Sequence, residues 1–282
     1  MLKLILISTA GIGGLGLLFG FVLGAASKIF RQEIDPRIKE IEKILPGANC
    51  GACGFPGCAA YAQAIIESNA DISLCIPGGN EVQVKIAQLL GKKSVTTTKK
   101  IAKVRCVGDK NTVAKIGKYD GIKSCIAVHF TIGGDKECVY GCLGYGDCVK
   151  ACPFDAIHLG ENGIPYVNEE KCTGCGLCVK ACPRNVIELV PDTAYMFIKC
   201  VSKDFGPSVS KVCKKGCIGC GICARVNNNE GIKIENNLPV IDYEHFRGDK
   251  TAAEKCPTKV IEFREDKQYK MFMKKDVKIT RD

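Results

Sequence analysis

The fold of this chain is decided by the stretch KCTGCGLCVKACP, which covers residues 171–183. Cys172, Cys175 and Cys178 are each separated by two residues, and Cys182-Pro183 follows after three more. Thiolates at this spacing can wrap one compact iron–sulfur cluster, and the fourth cysteine of such a run ligates a second cluster. The stretch therefore predicts a small domain organised around two [4Fe–4S] clusters.

A wider run lies upstream, with the spacing Cys138-x3-Cys142-x5-Cys148-x3-Cys152-Pro153. Its extra residues are rich in glycine, which lets the loop widen without backbone strain. Together the two runs match the pattern of two-cluster bacterial ferredoxins, in which the fourth cysteine of each run crosses over. Crossed ligation predicts one cluster on Cys138, Cys142, Cys148 and Cys182, and the other on Cys152, Cys172, Cys175 and Cys178.

A separate group of cysteines precedes these runs, with the spacing Cys50-x2-Cys53-x4-Cys58-x16-Cys75. The first three lie in a glycine-rich loop, and no histidine accompanies them. Four thiolates suit either a [4Fe–4S] cluster or a structural zinc ion. The loop composition favours the cluster, and zinc is the alternative.

The pattern repeats after 74 residues, so that Cys182-Pro183 aligns with Cys256-Pro257. The second copy keeps the complete ligand set of one cluster: Cys217, Cys220, Cys223 and Cys256. The ligand set of the other cluster is replaced by Asn227, Phe246, Asp249 and Ala252. We therefore predict one [4Fe–4S] cluster here, with Phe246 and its neighbours filling the vacated site. The alternative is a degenerate domain without metal.

Four cysteines remain outside these patterns: Cys106, Cys125, Cys200 and Cys213. They flank the two-cluster core as two pairs, but none belongs to a close Cys-x2-Cys pair. They form either a further four-thiolate site or a set of buried thiols without metal.

An uncharged apolar segment, residues 4–26, lies near the N-terminus. A helix of this length can cross a hydrocarbon core of about 30 Å. Lys28, Arg31, Arg37 and Lys39 follow it, so the positive-inside rule places the bulk of the chain in the cytoplasm. The alternative is a signal peptide cleaved near Ala25-Ala26, although the apolar run is long for one.

The composition favours metal over disulfides. Twenty cysteines occur in 282 residues with 7% aromatic residues and no tryptophan, so large apolar cores are not expected. Disulfide frameworks do not favour repeated Cys-x2-Cys runs, and cluster thiolates indicate a reducing compartment. The sequence carries no P-loop, dinucleotide-binding fingerprint or Ser/His/Asp set, so NAD chemistry is not expected within this chain.

The formal net charge is +10, with basic residues concentrated in residues 92–118 and 267–281. No stacking motif or recognition helix accompanies this charge, so nucleic acid is not the expected partner. An acidic protein or an anionic lipid surface is favoured.

The order of these parts resembles the B subunit of the Rnf complex, the membrane-bound ferredoxin:NAD oxidoreductase. The resemblance covers nearly the whole chain and is carried most clearly by residues 47–58 and 140–146. It implies that reduced ferredoxin donates electrons to this subunit, while partner subunits reduce NAD and move Na⁺ or H⁺ across the bacterial plasma membrane. Longer members carry full ligand sets in both repeats, so the replacements near Phe246 are a departure.

Two other functions are weighed beside this one: a membrane-anchored polyferredoxin of another oxidoreductase, such as a corrinoid-linked system, and a zinc-thiolate binding protein. The predicted fold class is α+β, and residues 101–107 and 126–132 are predicted strands. The predicted divisions are a transmembrane anchor (1–27), a helical [4Fe–4S] module (28–90), a linker with a small α/β segment (91–135), a two-cluster ferredoxin domain (136–190), a second ferredoxin-like domain retaining one cluster (191–265) and a basic tail (266–282).

Overall fold

The protein is described by a computed structural model that covers residues 2–29, 35–93, 97–228 and 230–266. Arg31 and the basic tail at 267–281 lie outside the described residues. Helices and two-stranded antiparallel sheets alternate along these ranges, in agreement with the predicted mixture of helix and sheet.

The first helix, α1 (Leu2–Ile29), stands apart from the other elements in composition. Its stretch Thr9–Ile29 is apolar and long enough to cross a membrane. Leu17 and Phe21 are 79% and 80% exposed, so no protein core covers them. Because an exposed apolar surface of this size is unfavourable in water, the helix fits a lipid environment.

A small helical module follows, and its core is built from Ile41, Tyr61 and Ile86, all of which are almost completely buried. The Tyr61 hydroxyl donates a hydrogen bond to the Asp71 carbonyl at 2.6 Å, which ties two segments of the module together. The elements are α2 (Pro36–Ile44), α3 (Cys58–Glu67), a 3₁₀ turn (Ile72–Leu74) and α4 (Gly79–Leu90).

The rest of the described chain contains two sets of elements related by the 74-residue offset. The first set is α6 (Asp147–Lys150), β2 (Ile157–Leu159), β3 (Pro165–Val167), α7 (Leu177–Lys180) and β4 (Ile187–Pro191). The second set is α9 (Ile222–Arg225), β6 (Ile232–Glu235), β7 (Leu238–Ile241), α10 (Thr251–Glu254) and β8 (Ile261–Phe263). In each set the two inner strands form a hairpin, β2 with β3 and β6 with β7.

Each set is completed by a strand that precedes it or lies between the sets. β1 (Lys100–Val104) pairs antiparallel with β4, from Lys100 opposite Pro191 to Val104 opposite Ile187. β5 (Met196–Ile198) pairs antiparallel with β8. The linker predicted at 91–135 therefore contributes a strand to the first set, at the position where residues 101–107 were expected to be extended.

The second strand predicted in the linker is wrong, because residues 126–132 lie in the helix α5 (Cys125–Ile132). Ser124 begins this helix, since its hydroxyl accepts a hydrogen bond from the Ala127 backbone N–H. Gly133 ends it in a left-handed conformation. The continuous apolar run does not distinguish a strand from a short helix, whereas these two caps do. One further helix, α8 (Gly206–Val212), follows β5.

Candidate iron–sulfur centres

The N-terminal centre brings together the four thiols that the spacing predicts. Asn49 holds the loop in place, because its side-chain Oδ1 accepts the backbone N–H of Cys58 at 2.8 Å. Burial raises the pKa of Cys75, the Gly78 backbone amide opposes that rise, and the charges of the other three thiols add to it. Cys75 lies in the core of this module, Cys53 and Cys58 pack against the same core, and Cys50 is close enough to add to the raised pKa of Cys75.

The run at 171–183 forms a second centre with its predicted partner Cys152. Burial raises the pKa of Cys178 to about 12, and the charges of Cys172, Cys175, Cys148 and Cys152 add to the rise. Strand β1 closes one side, because the Ala102 backbone N–H lies 3.4 Å from Sγ of Cys172. Gly174 has φ +74°, and a Cβ there would lie 2.2 Å from the Lys100 carbonyl oxygen. Glycine is therefore required where β1 passes the cluster loop.

The third centre differs in one cysteine from the grouping that the spacing predicts. Cys142, Cys148 and Cys182 line one cavity, but the fourth cysteine on that cavity is Cys125 rather than Cys138. Burial is the main reason that the pKa of Cys148 is raised to about 11, and the charges of Cys125 and Cys182 add to the rise.

Cys125 reaches this cavity because α5 begins there. The Asp147 carboxylate accepts hydrogen bonds from the Ser124 hydroxyl at 2.8 Å and from the Ile126 backbone N–H at 3.0 Å. Asp147 is itself the residue before Cys148, so the start of α5 is fixed beside that thiol. The one signal in the sequence was the Cys138-x3-Cys142 spacing, which departs from the usual Cys-x2-Cys.

Cys138 lies on a different cavity, together with Cys106, Cys200 and Cys213. Of the further site considered on Cys106, Cys125, Cys200 and Cys213, the structure brings three members together and places Cys138 beside them in the position expected for Cys125.

The last centre brings together the four retained thiols of the second repeat. Cys217, Cys220, Cys223 and Cys256 line one cavity. Burial raises the pKa of Cys217 to about 12, the Gly219 backbone amide opposes this, and the charges of Cys200, Cys223 and Cys256 add to it.

The vacated position in the second repeat is filled by side chains. Phe246 and Ala252 are 2% and 0% exposed, and the rings of Phe246 and Tyr195 lie 5.4 Å apart between centroids. Asn227 donates from Nδ2 to the Cys223 carbonyl at 2.9 Å. Asp249 does not enter the core; its carboxylate accepts the Thr251 backbone N–H at 2.9 Å, at the start of α10. Phe246 thus occupies the position that Cys172 has in the first repeat.

The cysteines of these centres surround cavities, and backbone amides are directed at several of their sulfurs, as at Cys172. Hydrogen bonds of this kind to sulfur are one means by which a protein tunes the potential of an iron–sulfur cluster.

Comparison with known protein families also indicates iron–sulfur clusters for two segments. Residues 45–77 match a family model described as a putative Fe–S cluster. Residues 165–188 match a 4Fe-4S binding domain.

Three relatives resemble the chain over most of its length, and all three are B subunits of redox complexes. The one from the proton-translocating ferredoxin:NAD(+) oxidoreductase complex of Clostridium ljungdahlii is 43% identical over 88% of this chain and 88% of its own. The one from the Na(+)-translocating ferredoxin:NAD(+) oxidoreductase complex of Acetobacterium woodii is 41% identical over 93% of this chain and 78% of its own. The one from the ion-translocating oxidoreductase complex of Methanosarcina acetivorans is 40% identical over 94% of this chain and 100% of its own. The chain belongs to the family of Rnf B subunits.

As a member of the Rnf family, the chain combines iron–sulfur modules with one apolar N-terminal helix. The predicted resemblance is confirmed, and the relatives named above are subunits of larger ion-translocating complexes.

Proposed function

We propose that this chain is the membrane-anchored iron–sulfur subunit of an Rnf-type complex, which couples ferredoxin:NAD oxidoreduction to translocation of Na⁺ or H⁺. It accepts electrons from reduced ferredoxin and passes them through its clusters to partner subunits. The observation that carries this function is the close succession of cysteine centres along the described chain. Clusters in such a series exchange single electrons, and the protein tunes their potentials through hydrogen bonds, charge and exposure.

Neighbouring centres approach each other at two pairs of thiols, one from each centre. Burial raises the pKa of Cys175, and the charge of Cys50 from the N-terminal centre contributes to that rise. Burial likewise raises the pKa of Cys178, to which Cys148 of the third centre contributes. The N-terminal module and the two ferredoxin runs therefore form one connected path within a tandem ferredoxin-like arrangement.

Four [4Fe–4S] clusters are assigned to the centres described above. Their ligands are Cys50, Cys53, Cys58 and Cys75; Cys152, Cys172, Cys175 and Cys178; Cys125, Cys142, Cys148 and Cys182; and Cys217, Cys220, Cys223 and Cys256. Because the sequence has no dinucleotide-binding fingerprint, NAD reduction belongs to other subunits, both membrane-bound and peripheral.

Helix α1 anchors the protein in the plasma membrane as a single span. The basic residues after it, Lys28 and Arg37 among them, place the cluster-bearing part on the cytoplasmic side. That compartment is reducing and contains soluble ferredoxin.

Cofactor identity is tested on the full chain purified anaerobically in detergent. We expect brown absorption, iron and acid-labile sulfide in equal amounts, and electron paramagnetic resonance signals after reduction. A colourless chain that carries zinc instead would contradict the proposal, since zinc has no redox chemistry.

Docking of ferredoxin is expected to depend steeply on salt. Ferredoxins are usually acidic, and Lys110, Lys118 and Lys123 are exposed in the segment that precedes Cys125. The second-order rate constant for reduction by ferredoxin should fall at least about tenfold as salt rises from about 0.01 M to about 1 M, because screening shortens the range of attraction. Stopped-flow measurements follow this rate, and an uncharged reductant serves as control. Equal salt dependence for both reductants would contradict electrostatic docking.

A further inference from the structure

Four cysteines from four distant segments surround one cavity at the centre of the cluster-bearing part. Cys106 follows β1, Cys138 precedes Cys142, Cys200 follows β5, and Cys213 ends α8. Cys106 and Cys213 are 7% and 9% exposed. The chain thus brings four buried or half-buried thiols together where no short motif would have predicted a site.

Each of these sulfurs faces a backbone amide two residues further along the chain. The Gly108 N–H lies 3.4 Å from Sγ of Cys106, and the Ser202 N–H lies 3.4 Å from Sγ of Cys200. Such amides favour the thiolate form of cysteine, which is the form that binds metal.

The other two sulfurs follow the same pattern. The backbone amide of Tyr140 faces the sulfur of Cys138, and the backbone amide of Lys215 faces the sulfur of Cys213. The same two-residue spacing occurs at Cys217, where Gly219 donates, and that cysteine belongs to a motif-defined cluster site.

A buried ammonium group provides an independent indication of an anion in this cavity. Lys136 is 7% exposed and lines the cavity, and its Nζ donates to the carbonyls of Gly108 at 3.0 Å and Cys142 at 2.8 Å. In the part of the chain that the structure describes, no carboxylate lies within 4 Å of this Nζ. Because a buried cation is costly without a counter-charge, Lys136 favours negatively charged groups on both sides of it, at this cavity and at the adjoining Cys142.

The cavity also adjoins two of the centres described above. The Cys142 backbone N–H is 3.3 Å from Sγ of Cys106, so the third centre adjoins it on one side. On the other side, Cys200 packs against the buried cluster that contains Cys217 and Cys256.

We propose that Cys106, Cys138, Cys200 and Cys213 hold a fifth [4Fe–4S] cluster, which connects the two-cluster core to the Cys217 centre. An electron leaves one reduced neighbour, reduces this cluster by one electron, and then passes to the other neighbour as this cluster is reoxidised. The inference deepens the proposed electron-transfer function and rests on it. With this site, all twenty cysteines are cluster ligands.

The test begins with metal analysis of the anaerobically purified full chain. Five clusters require about twenty irons per chain, and four clusters about sixteen, at four irons each. The double variant Cys106→Ala/Cys213→Ala should lose about four irons and one reducible component of the electron paramagnetic resonance spectrum. Ser208→Ala, an exposed substitution on α8, should retain every iron. About sixteen irons in the unmodified chain, or one equivalent of zinc beside them, would overturn the proposal.

A second variant keeps all four thiols and so does not depend on how well the double variant folds. Lys136→Met removes the buried positive charge, so one cluster should titrate at a more negative potential while the iron content stays unchanged. Unchanged potentials for every cluster would contradict the site. Failure of the proposed function would look different: full iron content and a shifted component, but no reduction by ferredoxin.

Discussion

Replacing Cys125 with alanine is expected to remove about four irons per chain and to abolish the magnetic interaction between the two clusters of the core. The reason is that Cys125 lines the cavity of Cys142, Cys148 and Cys182, and Cys148 lies close to Cys178 of the neighbouring centre. Iron analysis and electron paramagnetic resonance of the reduced full chain measure both effects.

Cys138→Ala is the matched control for this substitution. It should also cost about four irons if the fifth cluster is present, but the interaction between the two core clusters should persist. The grouping expected from the spacing alone gives the reverse result, with the core interaction lost in Cys138→Ala and kept in Cys125→Ala. That result would restore Cys138 to the ferredoxin core.

Phe246→Ala is expected to destabilise the second repeat by about 3–5 kcal/mol, the usual cost of truncating a buried aromatic side chain. Phe246 is 2% exposed and packs against Tyr195, whose hydroxyl donates to the Gly248 carbonyl at 3.1 Å. The substitution leaves a cavity where the first repeat carries a cluster. Urea unfolding followed by circular dichroism measures the change in the free energy of unfolding.

Phe205→Ala provides the comparison, because Phe205 is 68% exposed. Its effect should stay within about 0.5 kcal/mol, as for other surface substitutions. If the two substitutions lower the free energy of unfolding by the same amount, Phe246 does not fill a core position, and the interpretation of the vacated site is wrong.

Much of the site could be predicted from short-range spacing. Within a run such as Cys172-x2-Cys175-x2-Cys178, the thiols are held together by one loop and one helical turn, whatever the rest of the chain does. The 74-residue repeat was equally informative, because it predicted which thiols of the second copy lie together around Cys217 and that Phe246 replaces a cysteine. The apolar helix α1 could also be predicted, since the ability to cross a bilayer depends on length and composition.

Long-range placement could not be predicted in the same way. The apolar residues 126–132 were expected to form a strand, and only the Ser124 cap and the Gly133 termination distinguish the helix that forms. The spacing predicted Cys138 in the group with Cys142, Cys148 and Cys182. The contact between Asp147 and the start of α5 instead brings Cys125 to their cavity.

The sequence by itself therefore determined the kind of cofactor, the apolar helix that can span a membrane and the repeat, and it predicted the cysteine runs, because each depends on residues close together in the chain. Only the tertiary structure decided which of the two cavities Cys125 and Cys138 line. It also decided that Cys106, Cys200 and Cys213 line one cavity beside Lys136. These residues are brought together by the pairing of β1 with β4 and of β5 with β8. Such pairings join segments far apart in sequence, so no local spacing records them.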